Sequence, residues 1–128
     1  MAKKYIIKVG ADGRVTRERF CHKYALGQLH KTVGGYLDQV PTPQTEAVDI
    51  FVDAEGLRKI LPENGVLMRF VYHRYKSWLT LVGDAVITAH DRKGNTVGLS
   101  ESMCEELMAS LIRCGGEGLS AEKEGVAA

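Results

Sequence analysis

Thiol-based metal and redox chemistry is excluded first by what this chain lacks. Its three cysteines, Cys21, Cys104 and Cys114, form no C-x-x-C pair, and neither they nor the four scattered histidines have metal-ligand spacing. An odd number of thiols fits a reducing cytosol better than secretion. No G-x-S-x-G elbow and no Walker loop occurs. The N-terminal apolar run, Tyr5-Ile-Ile-Lys-Val9, is broken by Lys8 and is too short for a signal peptide or a membrane span. Charge in excess is missing too: 17 basic and 16 acidic residues give a net charge of +1, so extended nucleic acid and membrane are not expected as partners.

The most telling absence is local. From Asn64 to Gly83 there is not one Asp or Glu, and the centre of that stretch reads Arg69-Phe-Val-Tyr-His-Arg-Tyr-Lys-Ser-Trp78. Guanidinium and ring together suit a flat anion, one binding phosphate and the other a base. The candidate ligand-binding residues are therefore Arg69, Tyr72, His73, Arg74, Tyr75, Lys76 and Trp78. Tyr36, beside Gly34-Gly35, is a second stacking candidate. The alternative is a helix or strand that buries Phe70, Val71, Tyr75 and Trp78 and leaves the cations in water; both readings stand at this level.

What is present describes one domain. A chain of 128 residues with 45% hydrophobic content can bury a core without disulfide or metal staples. Residues 1–115 are expected to form a small α+β domain of five or six mainly antiparallel strands and two or three helices. Residues 116–128, rich in Gly, Ala and Glu, are expected to be a disordered tail. Charge is unevenly spread: residues 1–40 carry eight bases and three acids, residues 94–128 two bases and six acids. Such polarity suits head-to-tail association, and a homo-oligomer is expected.

Strands are predicted at Tyr5–Val9, Arg14–Phe20 (with a helical alternative), Tyr36–Val40, Glu46–Val52 and Leu79–His90, the last with a bulge or turn at Gly83-Asp84. Leu26, Leu29 and Val33 predict a helix stopped by Gly34-Gly35. A second helix opens near Leu61-Pro62 with Asn64 as a competing cap. Asp91–Asn95 is a hairpin loop returning through Thr96-Val97. The last helix is capped by Ser100 or Ser102, and Ser102 with Glu105 fits a capping box.

The motifs Val33-Gly-Gly-Tyr36, Asp53-Ala-Glu-Gly56, Leu61-Pro-Glu-Asn64 and Val82-Gly-Asp84 occur in an order that resembles a domain-of-unknown-function family of bacteriophages and mobile elements. Its members carry VGGY-I-E, N-E-E-G-K, L-P-x-N-x-x-A and a hydrophobic residue before G-D. The resemblance covers roughly residues 20–112. This chain departs at Asp53-Ala54, at Leu57 where Lys is usual, and at Gly65-Val66-Leu67. The resemblance implies a phage context and a fold more than a reaction.

No catalytic residue, metal or cofactor is expected. Cys21 and His22 are neighbours in sequence, which does not put thiol and imidazole in contact. Turn chemistry accounts for Asp53, Glu55 and Asp84 without Mg²⁺. The leading expectation is a non-enzymatic accessory protein that sequesters a small, anionic, nucleotide-like signal and so counters host defence. The alternatives are a protein–protein inhibitor or structural accessory protein, and a small hydrolase acting on a nucleotide.

Overall fold

A computed structural model describes residues 3–43 and 46–118. Its elements are β1 (Lys4–Val9), β2 (Arg14–Arg19), a 3-10 turn (His22–Tyr24), α1 (Ala25–Val33), β3 (Leu37–Gln39), β4 (Val48–Asp53), α2 (Gly65–Tyr75), β5 (Ala85–His90), β6 (Thr96–Val97), β7 (Leu99–Ser100), α3 (Glu101–Arg113) and β8 (Glu117–Gly118). The sheet runs β3-β4-β5-β1-β2-β8, with β6 added to β5 and β7 to β1. Only β2–β8 among these pairings is parallel. The fold is α+β as expected, with the predicted return at Thr96-Val97 present as β6 and with more strands: β7 and β8 have two residues each, too few for alternation to register.

Alternation along the strands divides the core in two. Tyr5, Ile7 and Val9 of β1, Ile50 of β4 and Ile87 of β5 face α2 and α3, which contribute Val66, Leu67, Phe70, Val71, Cys104, Leu107 and Leu111. Ile6 and Val86 point the other way, onto Leu29 and Val33 of α1. Each fully buried Leu, Ile or Phe contributes about 1.5–3 kcal/mol relative to exposure. The short helix α1 covers one face and the α2–α3 pair covers the other.

Several expectations need correction. Leu79–His90 is not one strand: β5 starts at Ala85, because Gly83 takes a φ of 79° and turns the chain. The segment before it makes a lone bridge, Glu63 to Val82. Leu26 does not pack inward and is 64% exposed; the helix is preceded by a 3-10 turn, which shifts its inner face to Leu29 and Val33. Ser100, not Ser102, caps α3, accepting from the Met103 N–H at 3.2 Å. The tail does not begin at 116, since β8 pairs with β2 and the Glu117 N–H donates to the Gly13 carbonyl at 2.7 Å. Residues 119–128, the rest of that expected tail, lie outside the described residues.

Candidate functional site

The four motifs meet at one end of the sheet, and what they build is a frame. Gly34 ends α1 with a φ of 89°, which an L residue resists. Gly35 lies against the Asp53 carboxylate, so close that an added Cβ would sit 2.6 Å from Oδ2. Asp53 in turn accepts from Lys59 Nζ at 2.7 Å and from the Glu55 N–H at 2.8 Å. These donors hold its carboxyl below the usual carboxylate range, Lys59 most of all. Asn64 is fully buried: Nδ2 donates to the Val9 and Gly83 carbonyls at 3.0 and 2.9 Å, and Oδ1 accepts from the Leu67 N–H at 3.1 Å. Asp84 accepts from the Ala11 N–H at 2.9 Å and pairs with Lys8 at 3.6 Å. Each of these polar residues is thus engaged in holding backbone or a neighbouring cation.

The acid-free stretch lies just beyond this frame, and α2 takes most of it. Asn64 caps the helix, and Lys76 ends it with a φ of 59°. The sequence therefore runs round a helix instead of along a strand, and its side chains divide among different surroundings. Phe70 and Val71 are core. His73 and Arg74 line a cleft of about 470 Å³ between α2 and α3, together with Phe70, Ser110, Arg113 and Cys114. Arg74 stands over the Phe70 ring, its Cζ 5.9 Å from the centroid. Its Nε and Nη2 donate to Glu46 Oε1 at 3.3 and 3.2 Å. Tyr75 also gives its hydroxyl to Glu46, at 3.3 Å, and packs its ring against the core. On the far wall Arg113 Nη2 donates to Ser110 Oγ at 3.0 Å. Burial pushes the Cys114 thiol up, so at neutral pH it is not a thiolate nucleophile.

Arg69 has a structural partner. Its Nε donates to the Cys114 carbonyl at 2.7 Å, tying α2 to the C-terminal end of α3. The guanidinium fits between Gly65 and Gly115, where a Cβ would stand 3.2 and 2.8 Å from its nitrogens. Arg69→Ala is expected to destabilise the fold by about 1 kcal/mol, the scale of one exposed charge-assisted cap. Urea denaturation measures it, and an unchanged midpoint would refute the cap.

The remaining candidates part company. Tyr72 and Trp78 pack edge to face at 5.2 Å on the outer side of α2, and Trp78 is 64% exposed, not core. Lys76 is exposed at the helix end. Tyr36 does not join the cluster: its ring meets His30 of α1, at 6.1 Å, on the opposite side of the sheet. Ser110 and Arg113 were missed, because a long chain separation hides the fact that α3 supplies the second wall.

A larger groove of about 530 Å³ lies over the opposite face, between α1 and the β1–β2 hairpin, with Lys8, Glu18, Tyr24 and Lys31 in its lining. Its chemistry is less suited to an anion. Glu18 brings a carboxylate into the groove's lining, whereas none of the residues lining the α2–α3 cleft is acidic, and the groove's cations are ammonium points in place of guanidinium forks. The α2–α3 cleft is the better candidate despite its smaller volume. Among the described residues no group of three or more His, Cys, Asp or Glu could hold a metal ion. None of the described helices is long and apolar enough to cross a membrane. The family model described as Domain of unknown function (DUF3846) matches residues 4–112. No curated protein and no solved structure matches the chain.

Proposed function

The chain belongs to the DUF3846 family, and we propose that it is a receptor for a small, anionic, nucleotide-like ligand, held in the α2–α3 cleft without chemistry. One observation carries the reading: Arg74 and Arg113 line a single cleft from two helices, with His73 and the Ser110 hydroxyl beside them. Two guanidinium groups offer bidentate donors to phosphate, and a cleft of about 470 Å³ has room for a ligand of nucleotide size. Glu46 keeps Arg74 in place before a ligand arrives, which lowers the ordering cost of binding. Tyr72 on the same helix and Trp78, three residues past its end, add an exposed ring surface. The acidic residues Glu101, Glu105 and Glu106 of α3 oppose a long polyanion, so a compact ligand is favoured.

In a phage or mobile-element setting, such a protein would sequester a nucleotide immune signal of the host and keep it from its receptor in the cytoplasm. The test is a thermal-shift screen with cyclic dinucleotides, cyclic oligonucleotides and ADP-ribose derivatives. A ligand at a hundred times its Kd stabilises the native state by about 2.7 kcal/mol, a shift on the order of 10 °C for a chain of this size. Arg74→Ala and Arg113→Ala should each weaken binding roughly 10- to 100-fold, the worth of a charged hydrogen bond. No shift with any compound, and no nucleotide retained from infected-cell lysate, would end this reading.

A further inference from the structure

Arg74 meets the α2–α3 cleft with one edge of its guanidinium already occupied. Its Nε and Nη2 both donate to Glu46 Oε1, at 3.3 and 3.2 Å, so the side-on fork holds a carboxylate. Nε also donates to the Tyr75 hydroxyl at 3.2 Å, and that hydroxyl donates in turn to Glu46 Oε1 at 3.3 Å. Burial pushes the Tyr75 hydroxyl up, so it stays protonated as a donor. Only 28% of the Arg74 side chain and 30% of the Glu46 side chain are exposed, so solvent screens this pair less than a surface pair.

The cleft is lined by Arg74 but by neither Glu46 nor Tyr75. The edge they hold is therefore turned from the cleft. What remains for a ligand is the end-on pair, Nη1 with the second Nη2 hydrogen. An anion seated there shares one cation with Glu46. The two anions then lie on adjacent edges of one small planar group, well inside the screening length of about 8 Å at physiological ionic strength. On the far wall Arg113 pairs with no carboxylate among the described residues, its Nη2 donating to Ser110 Oγ. One negative charge on a phosphate is thus matched by Arg113. A second charge on the same phosphate finds only Arg74, which Glu46 has already neutralised. The acid-free run of α2 receives its one acid at the cleft from the segment before β4, 28 positions away.

We propose that Glu46 determines specificity: it makes the cleft take a phosphate with one charge, as in a phosphodiester, in preference to a doubly charged terminal monoester. This selectivity rests on the reading of the cleft as the site of a nucleotide-like anion. Discrimination comes from repulsion of the wrong ligand, since the same donors would serve both. Among nucleotides it separates cyclic and internally linked compounds from those that end in a free phosphate.

Two probes that differ by one methyl group and one charge test it: adenosine 5′-monophosphate and its methyl ester. Both are titrated calorimetrically at pH 8 without divalent cations. An ordinary imidazole is neutral there, and a monoester, with its second pKa at about 6, carries two charges. The methyl ester should bind the wild type about 10-fold tighter than the monoester. Glu46→Gln keeps an acceptor for Arg74 and Tyr75 and removes only the charge. In this variant, its fold checked by melting, the monoester should tighten until the preference is below about 3-fold. A wild type that binds the monoester as tightly as the methyl ester, or tighter, overturns the assignment, and that arm needs no variant. An undiminished preference in folded Glu46→Gln overturns it too. If neither probe binds wild type or variant, the anion site itself fails, and the role of Glu46 falls with it.

Discussion

Replacing Asn64 with alanine is expected to destabilise the protein by about 3–5 kcal/mol, a large share of the 5–15 kcal/mol that holds a domain of this kind. The side chain is fully buried and makes three hydrogen bonds at once. Removing it takes the donors from the Val9 and Gly83 carbonyls, which β1 and the turn before β5 present at the same point. A buried group left unpaired costs about 1–3 kcal/mol. The same change removes the N-cap of α2, worth about 1 kcal/mol. Asn64→Asp is the informative companion. It keeps an acceptor for the Leu67 N–H, yet turns the donor nitrogen into an oxygen facing two carbonyl oxygens, in a site where the side chain's partners are backbone groups. It should therefore be no milder than alanine. Chemical denaturation of both variants decides the matter, and an alanine cost under about 1 kcal/mol would show that the hub is dispensable.

The second large effect is expected at Gly35. Its backbone conformation is open to other residues; space is what forbids them. An added Cβ would stand 2.6–2.9 Å from three atoms of the Asp53 carboxyl group. That carboxylate cannot move aside without lengthening its contacts to Lys59 Nζ and the Glu55 N–H. Gly35→Ala should cost about 2–4 kcal/mol, combining an overpacking penalty with a weakened charged hydrogen bond. The clash has one named partner, so its origin can be checked. In an Asp53→Ala background the obstructing oxygens are gone, and the further cost of Gly35→Ala should fall well below its cost in the wild type. A double-mutant cycle with no coupling would place the penalty elsewhere.

Both residues belong to the motifs that carried the family resemblance, which explains what that resemblance could and could not reveal. The stop at Gly34, the cap at Asn64 and the hairpin loop at Asp91–Asn95 were legible, because each is decided by local backbone chemistry. Their convergence was not, since Asn64 finds Val9 across 55 positions of sequence. The candidate site shows the same division. A run of rings and cations was visible as composition, but winding it into α2 sent Arg69 to a backbone carbonyl, Phe70 to the core and His73 and Arg74 to the cleft. Arg113 had no local signal as a site residue. It is a basic residue suited to the last turn of its own helix, and only the packing of α2 against α3 brings it to the cleft. Tyr36 shows the converse, an attractive neighbour of two glycines that the sheet separates from the other candidates.

The position of β1 has a consequence for how the chain comes together as it is made. β1 lies in the interior of the sheet, between β2, its immediate successor, and β5, where Ile7 meets Ile87. The β1–β2 hairpin can form early, yet one edge of β1 stays bare until Ala85–His90 has been synthesised. One face of β1 waits as well, since α3, which covers the odd-numbered side chains, follows later still. Pairing over so long a separation slows folding, because loop closure precedes the contacts that reward it. The nascent protein thus carries an apolar, half-paired strand until β5 emerges, and it is the segment from Ala85 onward that closes the sheet.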